Sequence, residues 1–183
     1  TQERRTWEAD WALLAQHFLP RKMRSLELEG DVTNRGGLRK DILRSTGILA
    51  MRDLAAGMHG GMTSPARPWF RLSLQDEELA AFKPVRSWLD DCQDRMRTIF
   101  HRSNFYNVVH SIYGQLGTFG TGFVFELEDP KAGIRFHPLS VGEYDLDIDE
   151  NGRVDTVFRA CPMTTRQLVR RFGYDKLPEV VKR

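Results

Sequence analysis

The sequence predicts an α+β fold, in which an N-terminal helical layer is followed by a small antiparallel sheet and a C-terminal helix. Apolar residues recur with a helical period up to Gly117, and short alternating segments replace them afterwards. A helix-capping pattern follows the last of these segments. With 183 residues, of which 40% are hydrophobic and 28% charged, the chain can bury a core and lacks the composition of a disordered protein.

Helices are predicted wherever apolar residues recur every three or four positions. In the first helix Trp7, Trp11, Leu14 and Phe18 share one face. The second is apolar on several sides, which is typical of a helix buried between neighbours. Residues between these two helices are expected to form an extended arm and loop. The predicted helices cover residues 7–18, 38–59, 84–100 and 105–116, with a short one ending near Phe82.

Glycine and capping residues predict where these helices begin and end. Gly60-Gly61 is expected to stop the second helix, and Gly117 to cap the last one. Ser73 with Asp76 three residues later resembles a capping box for the short helix.

Strands are predicted from segments of alternating apolar and polar residues. One precedes the central helices, and four follow Gly117 and form the small antiparallel sheet. For the last hairpin we expect a three-residue loop that pairs Ile148 with Val154 and Tyr144 with Phe158, and places Gly152 in a left-handed conformation. The predicted strands are residues 69–74, 123–127, 134–137, 144–149 and 153–159.

The C-terminal region begins with a second capping box formed by Thr164 and Gln167, and its helix is expected to end at Gly173. We predict two parts, residues 1–117, mainly helical, and residues 118–183, the sheet with the terminal helix. Because the sequence starts without Met and stops in a charged run, we expect a piece of a longer chain.

The net charge of +2 argues against a protein that binds a polyanion over its whole surface. Locally the charge is polarised, since residues 121–160 sum to −5 and residues 161–183 to +4. Such runs are often solvated faces; the functional interpretation is a pair of complementary edges between neighbouring subunits. A nucleic-acid groove is a weaker alternative, because no aromatic residues interleave with the basic ones. The candidate interface charges are Asp145, Asp147, Asp149, Arg166, Arg170 and Arg171.

No catalytic, cofactor or metal motif is evident. Asp147, Asp149 and Asn151 imitate the start of a calcium loop, but its twelfth position, which needs a bidentate Glu, is Phe158. The five histidines have no ligand spacing, and Cys92 with Cys161 cannot form a zinc site alone. No apolar run reaches the length of a membrane span. We therefore predict no enzyme activity, no cofactor and no membrane partner.

Five stretches resemble the head-to-tail connecting, or portal, proteins of short-tailed bacteriophages. They occur in the family's order and spacing and span nearly the whole chain, and the segment TSPARPWF at residues 63–70 is the most specific of them. The five stretches are HFLPR (17–21), GMHGGMTSPARPWFRL (57–72), GTFGTGFVFE (117–126), YDLDIDENGRVDTVF (144–158) and MTTRQLVRRFG (163–173).

The resemblance implies a structural subunit of a ring, typically of twelve, at one vertex of the capsid. Genomic DNA would be packaged and ejected through the channel of that ring, and the capsid protein, the terminase motor and tail adaptors would be its partners. This chain resembles the N-terminal, non-channel part, a wing-like body, and would be found in the virion and, during assembly, in the host cytoplasm. The alternatives are a nucleic-acid-binding adaptor and, less favoured, a metal-dependent hydrolase using Asp145, Asp147 and Asp149.

Overall fold

The computed structural model describes residues 2–25, 45–159 and 163–179. Those residues combine α-helices with antiparallel strands, which confirms the predicted α+β class. Two short 3-10 helices, Pro20–Ser25 and Tyr174–Lys176, follow the first and last α-helices. The helices are α1 (Gln2–Phe18), α2 (Thr46–Met62), α3 (Glu77–Ala81), α4 (Lys83–Arg102), α5 (Phe105–Phe119) and α6 (Thr165–Phe172); the strands are β1 (Phe123–Asp129), β2 (Gly133–Leu139), β3 (Tyr144–Ile148) and β4 (Val154–Arg159).

The strands form two separate hairpins, β1–β2 and β3–β4, so the prediction of one four-stranded sheet was wrong. The chain divides into two compact units, Thr1–Gly142 and Glu143–Arg183. The first hairpin lies in the helical unit because β2 packs against α5 and α4. The predicted division into residues 1–117 and 118–183 followed composition, and it stays a prediction.

Helix α5 is the centre of the first unit, since it packs against α2 on one side and β2 on another. Gly117 lies at the crossing with α2, where a Cβ atom would be 2.8 Å from Met51 Sδ. The buried apolar residues of these three elements are Met51, Ala55, Val108, Tyr113, Phe136 and Leu139.

Asn104 fastens β2 to the junction of the two central helices. Its side-chain Nδ2 donates to Phe136 O at 2.7 Å, and Phe136 N donates to Asn104 Oδ1 at 2.9 Å. Beside this pair Phe105 stacks on Phe100 and Trp69, with ring centroids 4.4 and 5.7 Å away. The first hairpin is therefore held by a side-chain clamp and by an aromatic cluster.

The segment after α2 ties that helix to the aromatic cluster. Arg67 Nη2 donates to Gly60 O and Gly61 O, each at 3.1 Å, and so caps the last turn of α2. Residues 69–74 form no strand, contrary to the prediction. One reason is that the Leu72 N–H donates to the side-chain Oε1 of Gln93 at 3.3 Å, and not to a backbone carbonyl of a neighbouring strand.

At three helix ends the capping or stop residue differs from the one predicted, and in addition α1 begins at Gln2 instead of Trp7. α2 continues through Gly60-Gly61 to Met62, and α5 continues through Gly117 to Phe119, where Gly120 with φ 73° forms the left-handed cap. In α3 the N-cap is Asp76, whose side chain accepts from two backbone N–H groups, and not Ser73. The end of α1 at Phe18 is as predicted, and the predicted start of the second helix, residues 38–44, lies outside the described residues.

Within the described part of the chain, α2 is less buried than its all-round apolar surface predicts. Only Met51 and Ala55 are buried in this helix, whereas Leu49, Leu54 and Met62 are exposed. The expectation of burial between neighbours was therefore wrong for the single chain.

Candidate subunit interface

The acidic hairpin β3–β4 is built on a turn that Asp149 organises. Its Oδ1 accepts from Asn151 N and from Arg153 N, each at 2.8 Å, while Asp149 N donates to Arg153 O. Gly152 has φ 75°, as the predicted three-residue loop requires. The bond from the Arg153 N–H is the main cause that lowers the pKa of Asp149. The Asp149 carboxylate is thus committed to the turn.

A β-bulge after the turn decides which side chains share a face of the hairpin. Ile148 pairs with Val154 as predicted, but Asp147 pairs with Thr156, so Asp155 is an extra residue on β4. The predicted pairing of Tyr144 with Phe158 was wrong, because Tyr144 lies opposite Arg159.

The bulge gives the hairpin one apolar and one acidic face. Directly paired residues share a face, and side chains alternate along each strand. Asp145 and Asp147 therefore share one face with Thr156 and Phe158. The opposite face, here called the apolar hairpin face, consists of Tyr144, Leu146, Ile148, Val154 and Val157, with Arg159 at its end.

Helix α6 carries the basic side chains of the second unit. The predicted capping box is present: Thr164 Oγ1 accepts from Gln167 N at 3.4 Å, and Gln167 Oε1 accepts from Thr164 N at 2.9 Å. The helix ends before Gly173, as predicted. Its three arginines, Arg166, Arg170 and Arg171, are exposed.

All six predicted interface charges lie in the second unit, three on the β3–β4 hairpin and three on α6. Asp145 and Asp147 lie on β3, and Asp149 lies in the turn. In the described part of the chain neither Asp147 nor Asp149 forms an ion pair with the α6 arginines. The structure therefore collects the charges in one unit without joining these carboxylates to the basic helix.

These carboxylates are not arranged as ligands of one ion. Among the residues that the structure describes, no group of three or more His, Cys, Asp or Glu side chains is placed to hold a metal. Asp145 and Asp147 project from a strand, while Asp149 is used by the turn. The structure thus gives no support to a hydrolase built on these three residues.

Sequence reasoning missed a cluster of histidine and tyrosine side chains between α2 and α5. His59 Nδ1 lies 3.0 Å from Thr63 Oγ1, and the same oxygen lies 3.1 Å from Tyr113 Oη. The His59 and His110 ring centroids are 5.9 Å apart. Burial, and then the nearby His110, lower the pKa of His59. The helical spacing of Tyr106, His110 and Tyr113 was the available signal, since it places three polar rings along one side of α5.

The Thr63 hydroxyl is buried and is shared between the two helices. A hydroxyl that both donates and accepts satisfies a histidine and a tyrosine at once. The cluster therefore links α2 to α5 through hydrogen bonds.

None of the helices in the described residues has the length and apolar character needed to cross a membrane.

The chain is similar to known phage proteins over its full length. A family model described as bacteriophage head to tail connecting protein matches residues 1–183. The chain is 42% identical over 181 residues to a probable portal protein of Bordetella phage BPP-1, and 40% identical over 180 residues to the portal protein of Salmonella phage epsilon15. Each alignment covers 98% of this chain and 32% of the relative, so the chain spans about a third of the length of the curated relatives it matches. The chain therefore belongs to the family of bacteriophage head-to-tail connecting proteins.

Proposed function

We propose that this chain is the N-terminal, non-channel body of a portal subunit, which assembles into a ring at one vertex of the capsid. Genomic DNA passes through the complete ring during packaging and ejection. The capsid protein, the terminase motor and tail adaptors contact that ring. The body itself is structural and not enzymatic, and it belongs to the virion after assembly in the host cytoplasm.

The observation that carries this proposal is the similarity to two phage portal proteins across 98% of the chain. The structure adds a second argument, because the apolar side chains of Leu146, Ile148 and Val154 are exposed together on one face of the β3–β4 hairpin. Exposed apolar surface of this kind is typical of proteins that assemble.

Within the ring we propose that opposite charges fix the register between neighbours. The acidic side chains are Asp145, Asp147 and Asp149, and the basic ones are Arg166, Arg170 and Arg171. A ring needs two different, complementary edges on each subunit, because its interface is head to tail. A hairpin of one sign and a helix of the other meet this requirement.

The first experiment is to express the complete natural gene, after sequencing through the codon for Arg183, and to image the product by negative-stain electron microscopy. We expect the reading frame to continue and the particles to be closed rings, typically of twelve subunits. A product that stays monomeric at every concentration tested would contradict the proposal.

The hydrolase alternative is tested by a magnesium and calcium titration followed by thermal unfolding. That alternative requires the melting temperature to rise when the ion is added.

The charge hypothesis is tested separately by reversing Arg166, Arg170 and Arg171 to Glu in the full-length protein. We expect ring formation to be blocked, since both edges would then be acidic. Lys176→Glu, an exposed charge reversal outside α6, is the control. Normal rings from the triple variant would overturn the charge hypothesis and leave the portal assignment intact.

A further inference from the structure

The apolar hairpin face has no cover within its own hairpin. Leu146, Ile148, Val154 and Val157 are all exposed, Ile148 to 61%. A two-stranded sheet is marginally stable in water unless a third strand or a helix packs against it. This face therefore needs a partner.

Helix α6 is a candidate occupant of this face, because it also leaves a large apolar side chain exposed. Its eight residues are fewer than an isolated helix needs to be stable in water. It packs chiefly on the short 3-10 helix that follows it, and Phe172 remains 48% exposed. With about 100° between successive residues, Leu168, Val169 and Phe172 share one apolar stripe along the helix.

The same helical geometry distributes the three arginines unequally. Arg166 and Arg171 fall on the two flanks of the apolar stripe, whereas Arg170 falls on the side facing away from it. The Arg171 Cζ lies 5.6 Å from the Phe172 ring centroid, which agrees with a position at the edge of the stripe.

We propose that the apolar hairpin face is the docking surface for α6 of a second copy of this chain. This inference rests on the proposed ring, and it names the two surfaces that meet between neighbours. Because each copy has one hairpin and one helix, the contact is head to tail, as closure into a ring requires.

Charge and width both favour this occupant. Residues 143–159 contain six acidic and two basic side chains, while residues 163–179 contain four basic and two acidic ones. A helix is about 10–12 Å wide and two paired strands lie about 5 Å apart, so a docked helix overhangs both edges of the hairpin. Arg166 and Arg171 then lie over the two edges of this acidic hairpin.

The first test compares matched variants of the full-length protein by sedimentation. Ile148→Asn removes an apolar side chain from the docking face, and Phe158→Asn removes a similarly exposed one, 58% against 61%, from the opposite face. We expect Ile148→Asn to weaken assembly on the order of tenfold and Phe158→Asn to leave it unchanged. Equal effects of Ile148→Asn and Phe158→Asn would overturn the proposal.

The arginines of α6 are compared in the same way. Reversal to Glu at Arg166 or Arg171 is expected to weaken assembly more than reversal at Arg170.

The second test identifies the occupant by disulfide cross-linking between Ile148→Cys and Phe172→Cys, with both native cysteines replaced by Ser. One substitution is placed on a tagged copy and the other on an untagged copy, and the two are mixed before oxidation. A covalent tagged–untagged dimer is the expected product. Two results would overturn the docking proposal without contradicting the ring: rings that form without that dimer, and a chain with both substitutions that forms the disulfide only within itself. If wild-type protein forms no rings, it is the proposed function that fails.

Discussion

At the scale of single residues, Asn104 shows how one side chain joins two elements. It occupies the N-cap position of α5 but makes no capping bond there, because both of its amide groups bond to the Phe136 backbone. Phe136 is buried, so water cannot replace those bonds without rearrangement. The preference of Asn for caps explains its position before α5, but its hydrogen-bond partner is 32 residues away.

Asn104→Ala is expected to lower the free energy of unfolding by about 2 kcal/mol, because the part-buried N–H and C=O of Phe136 lose their side-chain partner. The measurement is urea denaturation followed by circular dichroism. Asn107→Ala, on the exposed side of the same helix, is the matched control and should change stability by no more than about 0.5 kcal/mol. Similar losses for the two variants would contradict this role of Asn104.

His59 gives a pH dependence whose direction follows from its lowered pKa. Because the pKa in the folded state lies below 6.5, the unfolded state takes up the proton first on acidification. The stability that neutral His59 contributes is present above about pH 6.5 and is lost as the pH falls below it. The groups that face its ring are Thr63, Tyr106, His110 and Tyr113.

We expect the His59 ring to titrate below 6.5 in an NMR experiment, and His110→Gln to move its pKa upward by removing a like charge. Between about pH 7.5 and about pH 5.5 the wild-type protein should lose more thermal stability than His59→Gln. A His59 pKa at or above 6.5 would refute the desolvation argument.

At the scale of elements, the sequence predicted the central helices and the last capping box well, because periodicity and caps are local properties. The predicted helix ends at Gly60 and Gly117 were wrong, because both glycines lie inside their helices. Gly117 is needed for the approach of α2, and a contact between distant segments leaves no periodic trace in the sequence. The predicted register of the last hairpin was wrong for a similar reason. The turn residues determine the first strand pair, but one extra residue on β4 shifts all the later pairs.

The crossing of α2 and α5 predicts opposite effects of two glycine substitutions. Gly117→Val is expected to destabilise the fold by about 1–3 kcal/mol, since its side chain would press on Met51 and Leu54. Gly57→Ala, in open space on α2, should stabilise it by about 0.5–1 kcal/mol through helix propensity. Thermal unfolding of both variants is the measurement, and a stabilising Gly117→Val would show that the helices do not approach as described.

At the scale of the whole molecule, the proposed subunit interface was the part least accessible to sequence reasoning. The charge polarity was visible in the composition, and an apolar side of the hairpin followed from the alternation of Tyr144, Leu146 and Ile148. The bulge, which places Val157 on that side and Phe158 on the other, was not visible. Burial in a single chain shows which apolar residues are left over, and the ring proposed above gives a reason for their exposure.

Raising the salt concentration from about 0.05 M to about 0.5 M should weaken assembly of the full-length protein, because exposed charge pairs are screened over shorter distances. Sedimentation velocity at several concentrations is the measurement. Apolar contacts are strengthened by salt or are unaffected by it. Assembly that becomes stronger at high salt would therefore show that the apolar surfaces alone hold the subunits together.

The β-bulge also sets how this hairpin tolerates insertions and deletions during evolution. Since Asp155 is the unpaired extra residue, a gene that loses its codon still encodes the same strand pairs and the same two faces. Gain of one codon within Thr156–Arg159 is different, because every residue on the far side of the insertion moves to the opposite face. Length variants among related phages should therefore accumulate at position 155 and be rare in the rest of β4.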